Sequence, residues 1–265
     1  MKYSFMTFSC PGLSLDQVLE TAKRFGYEAV EPRLDAKHAH GIEVDLGRAQ
    51  RKEIRKKVAD SGVFLSCLAT SHSYANPETA RQQVAETVRK MQLAADVGAP
   101  CLRVFGGKIP VGVGRRQAQD SLVDALRTAG REGRDTGVVL CLETHDDWCD
   151  PAHVAEVVKR VALPNVAVNW DIMHPVRVAQ KTIQESFDTL KPWIRHVHFH
   201  DGVTENAQLK MVPIGTGDID HRAAVKCLKT AGYAGFLSGE WIQWEPWETH
   251  LPRELAVMKA YEREA

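Results

Sequence analysis

The sequence alternates between two kinds of segment, and this alternation constrains the fold more than any other feature. A short run rich in β-branched and aromatic residues is followed by a stretch whose apolar residues recur every three or four positions, and the pair repeats eight times. Strands separated by single helices form parallel sheets with right-handed crossovers, and eight such units close a barrel. The pattern predicts an α/β fold, a (β/α)8 TIM barrel that forms a single domain over residues 1–265.

The eight predicted strands end in polar residues or glycine. They cover residues 3–10, 28–33, 63–69, 101–107, 138–145, 166–174, 194–202 and 235–242. A doubly wound open sheet is the alternative fold. It is disfavoured because no Gly-x-Gly-x-x-Gly or Walker-type loop follows the first strand.

Composition excludes several classes of protein. The 34 Lys and Arg residues balance 34 Asp and Glu residues, which argues against nonspecific binding of nucleic acid. We find no signal peptide and no apolar stretch long enough to span a membrane. The six cysteines are scattered, four of them within apolar runs, as in proteins of a reducing compartment. We therefore expect a cytoplasmic protein with neither nucleic-acid nor membrane partners.

The last four predicted strands each end in a residue that can bind a metal, at the edge where barrel enzymes carry their reactive groups. These residues are Glu143, Asp171, His198 and Glu240. Their spacings are 28, 27 and 42 residues, and the first two correspond to about one strand-helix unit. All four side chains should therefore reach the same rim.

The alternation of side chains along a strand is consistent with this placement. An inward Glu143 directs Leu142 outward against the helices. The same parity places His196, His198 and His200 inward together, so alternation alone does not choose among them. His198 has the middle height, which suits a ligand at the rim.

Three carboxylates and one imidazole form a hard, oxygen-rich site that favours Mn²⁺ or Mg²⁺, with Co²⁺ and Zn²⁺ as further candidates. The alternative is a network of buried salt bridges with Arg or Lys. Four ligands in register favour the metal centre over such a network.

These motifs resemble a known family. The chain has a Glu after the fifth strand, Asp171-x-x-His174 after the sixth, His-x-His after the seventh and a Glu after the eighth. This pattern is similar to the xylose isomerase-like sugar isomerase and epimerase family, which includes hydroxypyruvate isomerase, 2-keto-myo-inositol isomerase and inosose dehydratase. The stretch IGTGDID at 214–220 also resembles the family's Gly-x-Gly-Asp loop. The resemblance covers nearly the whole chain.

The resemblance implies roles for the rim residues. Glu143, Asp171, His198 and Glu240 would hold the metal, with Mn²⁺ as the first choice, and the two Glu residues would also act as general acid and base. The substrate would be a keto-sugar, a keto-inositol or a small α-hydroxycarbonyl, isomerised or epimerised through a metal-bound enediolate. His174 resembles the family's substrate-orienting histidine, and a loop cap is its alternative role.

Further residues near the mouth are candidates for substrate binding. Arg33 could grip a carboxylate or phosphate, or stiffen the rim by pairing with a carboxylate. Trp148 could cover the apolar face of a sugar or simply pack. The complete set of substrate-binding candidates is His174, His72, Arg33, His200 and Trp148.

The chain departs from the ketose 3-epimerases of this family, because Cys149 and Thr204 stand where they carry a Glu and an Arg. A free-ketose 3-epimerase is therefore disfavoured. Two other functions stay open, a dehydratase or lyase that expels a β-leaving group and a sugar-binding barrel without turnover. A homo-oligomer is also left open.

Overall fold

A parallel sheet curled into a barrel forms the centre of the protein in this computed structural model, which describes residues 1–206 and 208–265. The strands are β1 (Lys2–Met6), β2 (Ala29–Glu31), β3 (Phe64–Leu65), β4 (Leu68–Ser73), β5 (Cys101–Phe105), β6 (Val139–Glu143), β7 (Val166–Asp171), β8 (Ile194–Phe199), β9 (Asp201–Glu205), β10 (Gln208–Val212) and β11 (Phe236–Gly239). The barrel sheet has the order β3-β2-β1-β11-β8-β7-β6-β5-β4.

Helices alternate with the strands around the outside of the barrel. They are α1 (Leu15–Phe25), α2 (Arg48–Ser61), α3 (Pro77–Val97), α4 (Arg115–Glu132), α5 (Pro151–Val161), α6 (Met173–Arg177), α7 (Ile183–Leu190), α8 (His221–Thr230) and α9 (Trp247–Glu264). The ends of α1 show how local sequence sets the bounds. Ser14 and Gln17 form a capping box at its start, and Gly26 ends it in the left-handed region at φ 84°.

The third predicted strand is split into β3 and β4, and this split lies where the barrel closes. β3 pairs with β2, whereas β4 pairs with β5. A bridge between Arg33 and Ala69 joins the two edges, and the Leu34 amide donates to the Ala69 carbonyl at 2.8 Å. The ring of strands is thus nearly complete.

The predicted TIM barrel and its strand-helix alternation are confirmed. One addition was not predicted, an antiparallel hairpin of β9 and β10 in the long segment after β8. Gly202 permits its tight approach, because a Cβ there would lie 2.4 Å from the Leu209 side chain. No helix among the described residues has the length and apolar character needed to cross a membrane.

The inside of the barrel is polar near its C-terminal end. The main apolar core lies between sheet and helices, whereas only a small cluster of Cys67, Cys101, Cys141 and Ala167 packs separately from it. Above these small side chains the interior carries fully buried Arg103. This arrangement leaves the C-terminal mouth to charged and hydrogen-bonding groups.

Candidate active site

Four buried side chains converge at the C-terminal mouth of the barrel. They are the predicted ligands Glu143, Asp171, His198 and Glu240, and one ligand atom from each lies within 4.8 Å of all the others. His198 Nδ1 is 3.0 Å from Glu143 Oε1 and 3.1 Å from Glu240 Oε2. The structure thus brings together all four residues that the strand ends predicted.

The strands deliver these residues through their register. Asp171 at the end of β7 is paired with His198 on β8, so the two side chains point the same way. Glu240 directly follows β11, and its amide donates to the Phe199 carbonyl at 3.2 Å. A Cβ at Gly239 would lie 2.1 Å from the Trp241 ring, so a glycine is needed for this indole to pack beneath the site.

The charges around His198 stabilise its protonated form in the metal-free protein. Burial by itself disfavours a charged ring, but the carboxylates of Glu31, Glu143 and Glu240 hold the pKa of His198 well above its ordinary value. Conversely, burial alone would raise the pKa of Glu240, and the neighbouring imidazolium of His198 keeps it below the ordinary value. A positive charge at Nδ1 therefore balances the carboxylates.

Two of the candidate ligands have buried partners behind them. Arg103 Nε lies 3.1 Å from Glu143 Oε2, so the two buried side chains form an ion pair. His200 Nε2 lies 2.8 Å from Asp171 Oδ2, and the other oxygen of Asp171 accepts the amide of His174 at 3.1 Å. Despite burial, His200 lowers the pKa of Asp171 below its ordinary range.

Sequence reasoning missed Glu31, the last residue of β2. Its side chain is fully buried, with Oε2 2.7 Å from His196 Nε2 and Oε1 3.1 Å from His198 Nε2. Burial opposes ionisation, yet the two imidazoles hold the pKa of Glu31 well below its ordinary value. Strand parity was the available signal, because Glu31 and Arg33 share a face of the second predicted strand.

The donor set fits a divalent cation. Three carboxylates face one imidazole and one guanidinium, so the cluster has an excess of negative charge when His198 is neutral. Glu143 Oε2 is buried, and its ion pair with Arg103 Nε lacks the geometry of a hydrogen bond. An ion that replaced the Nδ1 proton would neutralise this excess, and an oxygen-rich set suits a hard cation.

Two of the predicted substrate contacts lie beside this cluster. His174 Nε2 is 4.0 Å from Asp171 Oδ2, and its ring stacks edge-on between those of His145 and His200, at 4.5 and 5.6 Å. His200, the second, is engaged with Asp171. The rings form a short row of imidazoles along the mouth.

The other three predicted contacts have protein partners in the structure. Arg33 donates to the carbonyls of Leu34 and Ala69 and to the Ser71 hydroxyl. His72 Nδ1 is 3.2 Å from the Gln83 carbonyl oxygen, and His72 Nε2 is 2.7 Å from Lys90 Nζ. The remaining residue is fully buried Trp148, whose indole N–H donates to the Gly107 carbonyl at 2.8 Å. Substrate binding by Arg33, His72 and Trp148 stays a prediction.

His145 is a second residue at the mouth that sequence reasoning missed. It lies two residues after the end of β6, and its Nδ1 is 3.2 Å from Asp146 Oδ2. Burial lowers its pKa, but the hydrogen bond to Asp146 and the charge of Glu143 raise the pKa to about 9. Asp146 has a left-handed φ of 51°, and no sequence motif predicts this local turn.

Comparison with known sequences agrees with the barrel fold and indicates a class of enzyme. A family model described as the xylose isomerase-like TIM barrel matches residues 19–261. The L-ribulose-5-phosphate 3-epimerase UlaE of Salmonella paratyphi A is 25% identical over 228 residues, which cover 82% of this chain and 78% of that protein. This relative supports the prediction of an enzyme of isomerase or epimerase type.

Solved structures share the architecture at lower identity. D-psicose 3-epimerase of Clostridium cellulolyticum H10, determined with D-tagatose, is 16% identical with a TM-score of 0.80, and the match covers 100% of this chain and 99% of that one. The probable 3-DHS dehydratase AsbF of Bacillus anthracis is 20% identical with a TM-score of 0.80, covering 98% and 99% of the two chains. At these identities the likeness shows the fold alone, and the expectation against a free-ketose 3-epimerase stays a prediction. The family match over most of the chain, together with the barrel and its motifs, shows that this protein belongs to the xylose isomerase-like TIM barrel family.

Proposed function

We propose that the protein is a divalent-metal-dependent sugar isomerase or epimerase. Its substrate is a keto-sugar, a keto-inositol or a small α-hydroxycarbonyl. The observation that carries the proposal is the convergence of three carboxylates and one imidazole within 4.8 Å, with two of the carboxylates from glutamates that contact the same ring nitrogen. The 3-epimerase of Salmonella, a relative across most of the chain, supports the reaction class.

Glu143, Asp171, His198 and Glu240 would hold the ion, with Mn²⁺ as the first choice and Mg²⁺, Co²⁺ or Zn²⁺ as alternatives. When bound, the ion supplies positive charge next to the substrate oxygens and so stabilises negative charge that develops there. Arg103 and His200 hold Glu143 and Asp171 from behind, which fixes where their oxygens point.

Glu143 and Glu240 differ in their partners and in their exposure, which suits different roles in proton transfer. Glu143 is paired with Arg103, whereas Glu240 contacts His198 and stands nearer the opening, with 7% of its surface exposed against 1% for Glu143. Glu240 is the better candidate to take the proton next to the carbonyl, because no guanidinium neutralises it directly. Glu143 would return a proton on the other side.

His174 would orient the substrate by a hydrogen bond to a sugar oxygen. Burial lowers the pKa of its imidazole, so the neutral ring can donate from one nitrogen and accept at the other. We further propose that residues 1–265 form one domain and that the protein works in the cytoplasm. Five of its six cysteines are buried thiols, which suits a reducing compartment.

Solvent deuterium exchange tests the reaction class. The Mn²⁺-loaded protein is incubated in D₂O with ketohexoses, ketopentoses and their phosphates, keto-inositols and hydroxypyruvate, and the products are analysed by NMR after chelation of the metal. Deuterium at the carbon next to the carbonyl, in a product of otherwise unchanged composition, is expected.

Other outcomes would change the proposal. Loss of water or of an aglycone would replace it with the lyase reaction. Binding of a keto-sugar without any exchange of C–H would indicate a sugar-binding barrel.

A further inference from the structure

A buried carboxylate lies directly behind the candidate ligand histidine. Glu31 and the imidazoles of His196 and His198 are all fully buried, and they come from strands on different parts of the barrel wall, β2 and β8. Both Glu31 oxygens are near His198 Nε2, at 3.1 and 3.2 Å. Glu31 is not one of the four candidate ligands at the mouth.

The two nitrogens of His198 face different surroundings. Nδ1 points to Glu143 and Glu240, while Nε2 points to Glu31. A neutral imidazole carries one N–H, and a carboxylate can only accept. With Nε2–H donating to Glu31, the lone pair of Nδ1 is directed at the carboxylates of the proposed centre.

The second contact of Glu31 keeps its carboxylate in place. His196 Nε2 lies 2.7 Å from Glu31 Oε2, which is shorter than either contact to His198. Two N–H donors can thus share one carboxylate, and the second belongs to His196, whose ring also packs edge-on against that of His198 with 5.3 Å between the ring centroids. This anchoring limits how far the Glu31 side chain can turn.

We propose that Glu31 is a positioning residue that holds His198 by its Nε2–H, so that Nδ1 is presented to the divalent ion and binds it more tightly. This inference rests on the proposed metal centre. Carboxylates behind ligand histidines fix ring orientation and tautomer, and their removal costs about 10–100-fold in metal affinity.

A second metal ion held by Glu31, His196 and His198 is the competing interpretation, since these three also cluster within 4.8 Å. Hydrogen bonds explain the cluster more simply. Each Nε2 already has a carboxylate acceptor at hydrogen-bond distance, and a cation here would compete with the proton that the Nε2 contact requires.

The experiment compares the wild type with Glu31→Gln and with His196→Gln. Glu31→Gln keeps the size of the side chain and removes its charge, whereas His196→Gln leaves the contact between Glu31 and His198. Mn²⁺ affinity is measured by calorimetry and stoichiometry by elemental analysis. Long-range ¹H–¹⁵N NMR of histidine-labelled, Zn²⁺-loaded protein reports which nitrogen of His198 carries the proton.

We expect one ion per chain and an Nε2–H tautomer in the wild type. Glu31→Gln should weaken Mn²⁺ binding by about 10–100-fold, whereas His196→Gln should change it by no more than about threefold. Glu31→Asp, which keeps the charge on a shorter arm, should restore part of the affinity.

Each contrary result has a distinct meaning. A wild type that binds no divalent ion overturns the metal centre and the inference with it. Unchanged affinity in Glu31→Gln, equal losses in both Gln variants, or an Nδ1–H tautomer in the loaded wild type overturns the inference alone. Two ions per chain that fall to one in Glu31→Gln would establish the second metal site instead. The tautomer in the wild type decides the matter even if a variant fails to fold.

Discussion

At the scale of single residues, the partner behind each candidate ligand determines what that ligand can do. Arg103 neutralises Glu143, and His200 donates to Asp171. Glu240 has only the imidazole of His198 within ion-pair distance among the described residues. The two glutamates thus differ in their charged partners and in their exposure, so they should respond differently to substitution.

Replacement of Glu240 by glutamine should reduce turnover by roughly 10²–10⁴-fold, since a neutral amide cannot accept the proton. Substrate affinity should change far less, because the amide keeps the shape of the side chain. Steady-state kinetics and calorimetry separate the two effects. Glu248→Gln, an exposed position on α9, is the control. A near-normal rate for Glu240→Gln would disprove the acid-base assignment.

Metal uptake should release a proton. Because the carboxylates hold the pKa of His198 well above its ordinary value, Nδ1 is protonated near neutrality in the metal-free protein, and an ion must displace that proton. Affinity for Mn²⁺ should therefore rise by about tenfold per pH unit between roughly pH 6 and 8. Calorimetry in buffers of different ionisation enthalpy counts the protons released. Affinity that does not depend on pH would contradict this protonation state.

The strand ends, their spacing and the middle height of His198 predicted the four residues that converge at the mouth. Three other features of the site depended on contacts that no local pattern encodes. Glu31 ends β2, but its two imidazole partners lie on β8, far away in the sequence. The position of His145 depends on the left-handed backbone conformation of the next residue, Asp146. The sequence left open whether Trp148 covers a sugar or packs, and its ring lies where Gly106 leaves room, since a Cβ there would lie 2.1 Å from that ring.

At the scale of elements, the turn after β11 couples packing to the site. Gly239 ends the strand, Glu240 follows, and Trp241 is buried directly against the glycine. The position of Glu240 therefore depends on how closely this indole approaches the backbone.

Gly239→Ala should overfill this turn, because its Cβ would lie 2.1 Å from the Trp241 ring. We expect a loss of about 1–3 kcal/mol in the free energy of unfolding. Mn²⁺ affinity should fall as well, since Glu240 moves with the backbone. Thermal unfolding and calorimetry measure the two effects. Gly12→Ala, with no atom within 4 Å of the added Cβ, is the matched control and should leave both unchanged.

The elements show where periodicity is informative and where it is not. The predicted strand at 63–69 contains both β3 and the start of β4, but the break between them follows from pairing with two different neighbours. The β9–β10 hairpin was not predicted, because its strands are partly exposed and have little apolar alternation. Patterns of burial predict elements well, whereas pairing partners are a property of the assembled sheet.

At the scale of the whole molecule, the eightfold repeat of strand and helix was the basis for predicting the barrel. Eight strand-helix units admit few closed arrangements, and the right-handed crossover leaves the barrel as the simplest. The charged mouth that results has a predictable response to pH.

The metal-free protein should lose stability as the pH rises from about 6.5 to 9. The folded-state pKa values of His145 and His198 are raised, to about 9 for His145, so their contribution is complete below about pH 6.5 and is lost as the pH passes through the raised values. His145→Asn should have a shallower profile, and saturating Mn²⁺ should flatten it further. Thermal unfolding over this range measures the effect. A melting temperature that is constant from pH 6.5 to 9 would contradict these protonation states.

The strand order has a consequence for synthesis of the protein. β1 is paired with β11 from Lys2 to Phe5, and the N-terminal amine contacts Glu262 at 2.6 Å. During synthesis, β1 therefore cannot pair with β11 until the ribosome has translated the chain as far as Gly239. Because Glu240 follows that late strand, a nascent chain cannot bring together all four candidate ligands before β11 is made. The proposed metal centre would thus form only after β11 has been translated.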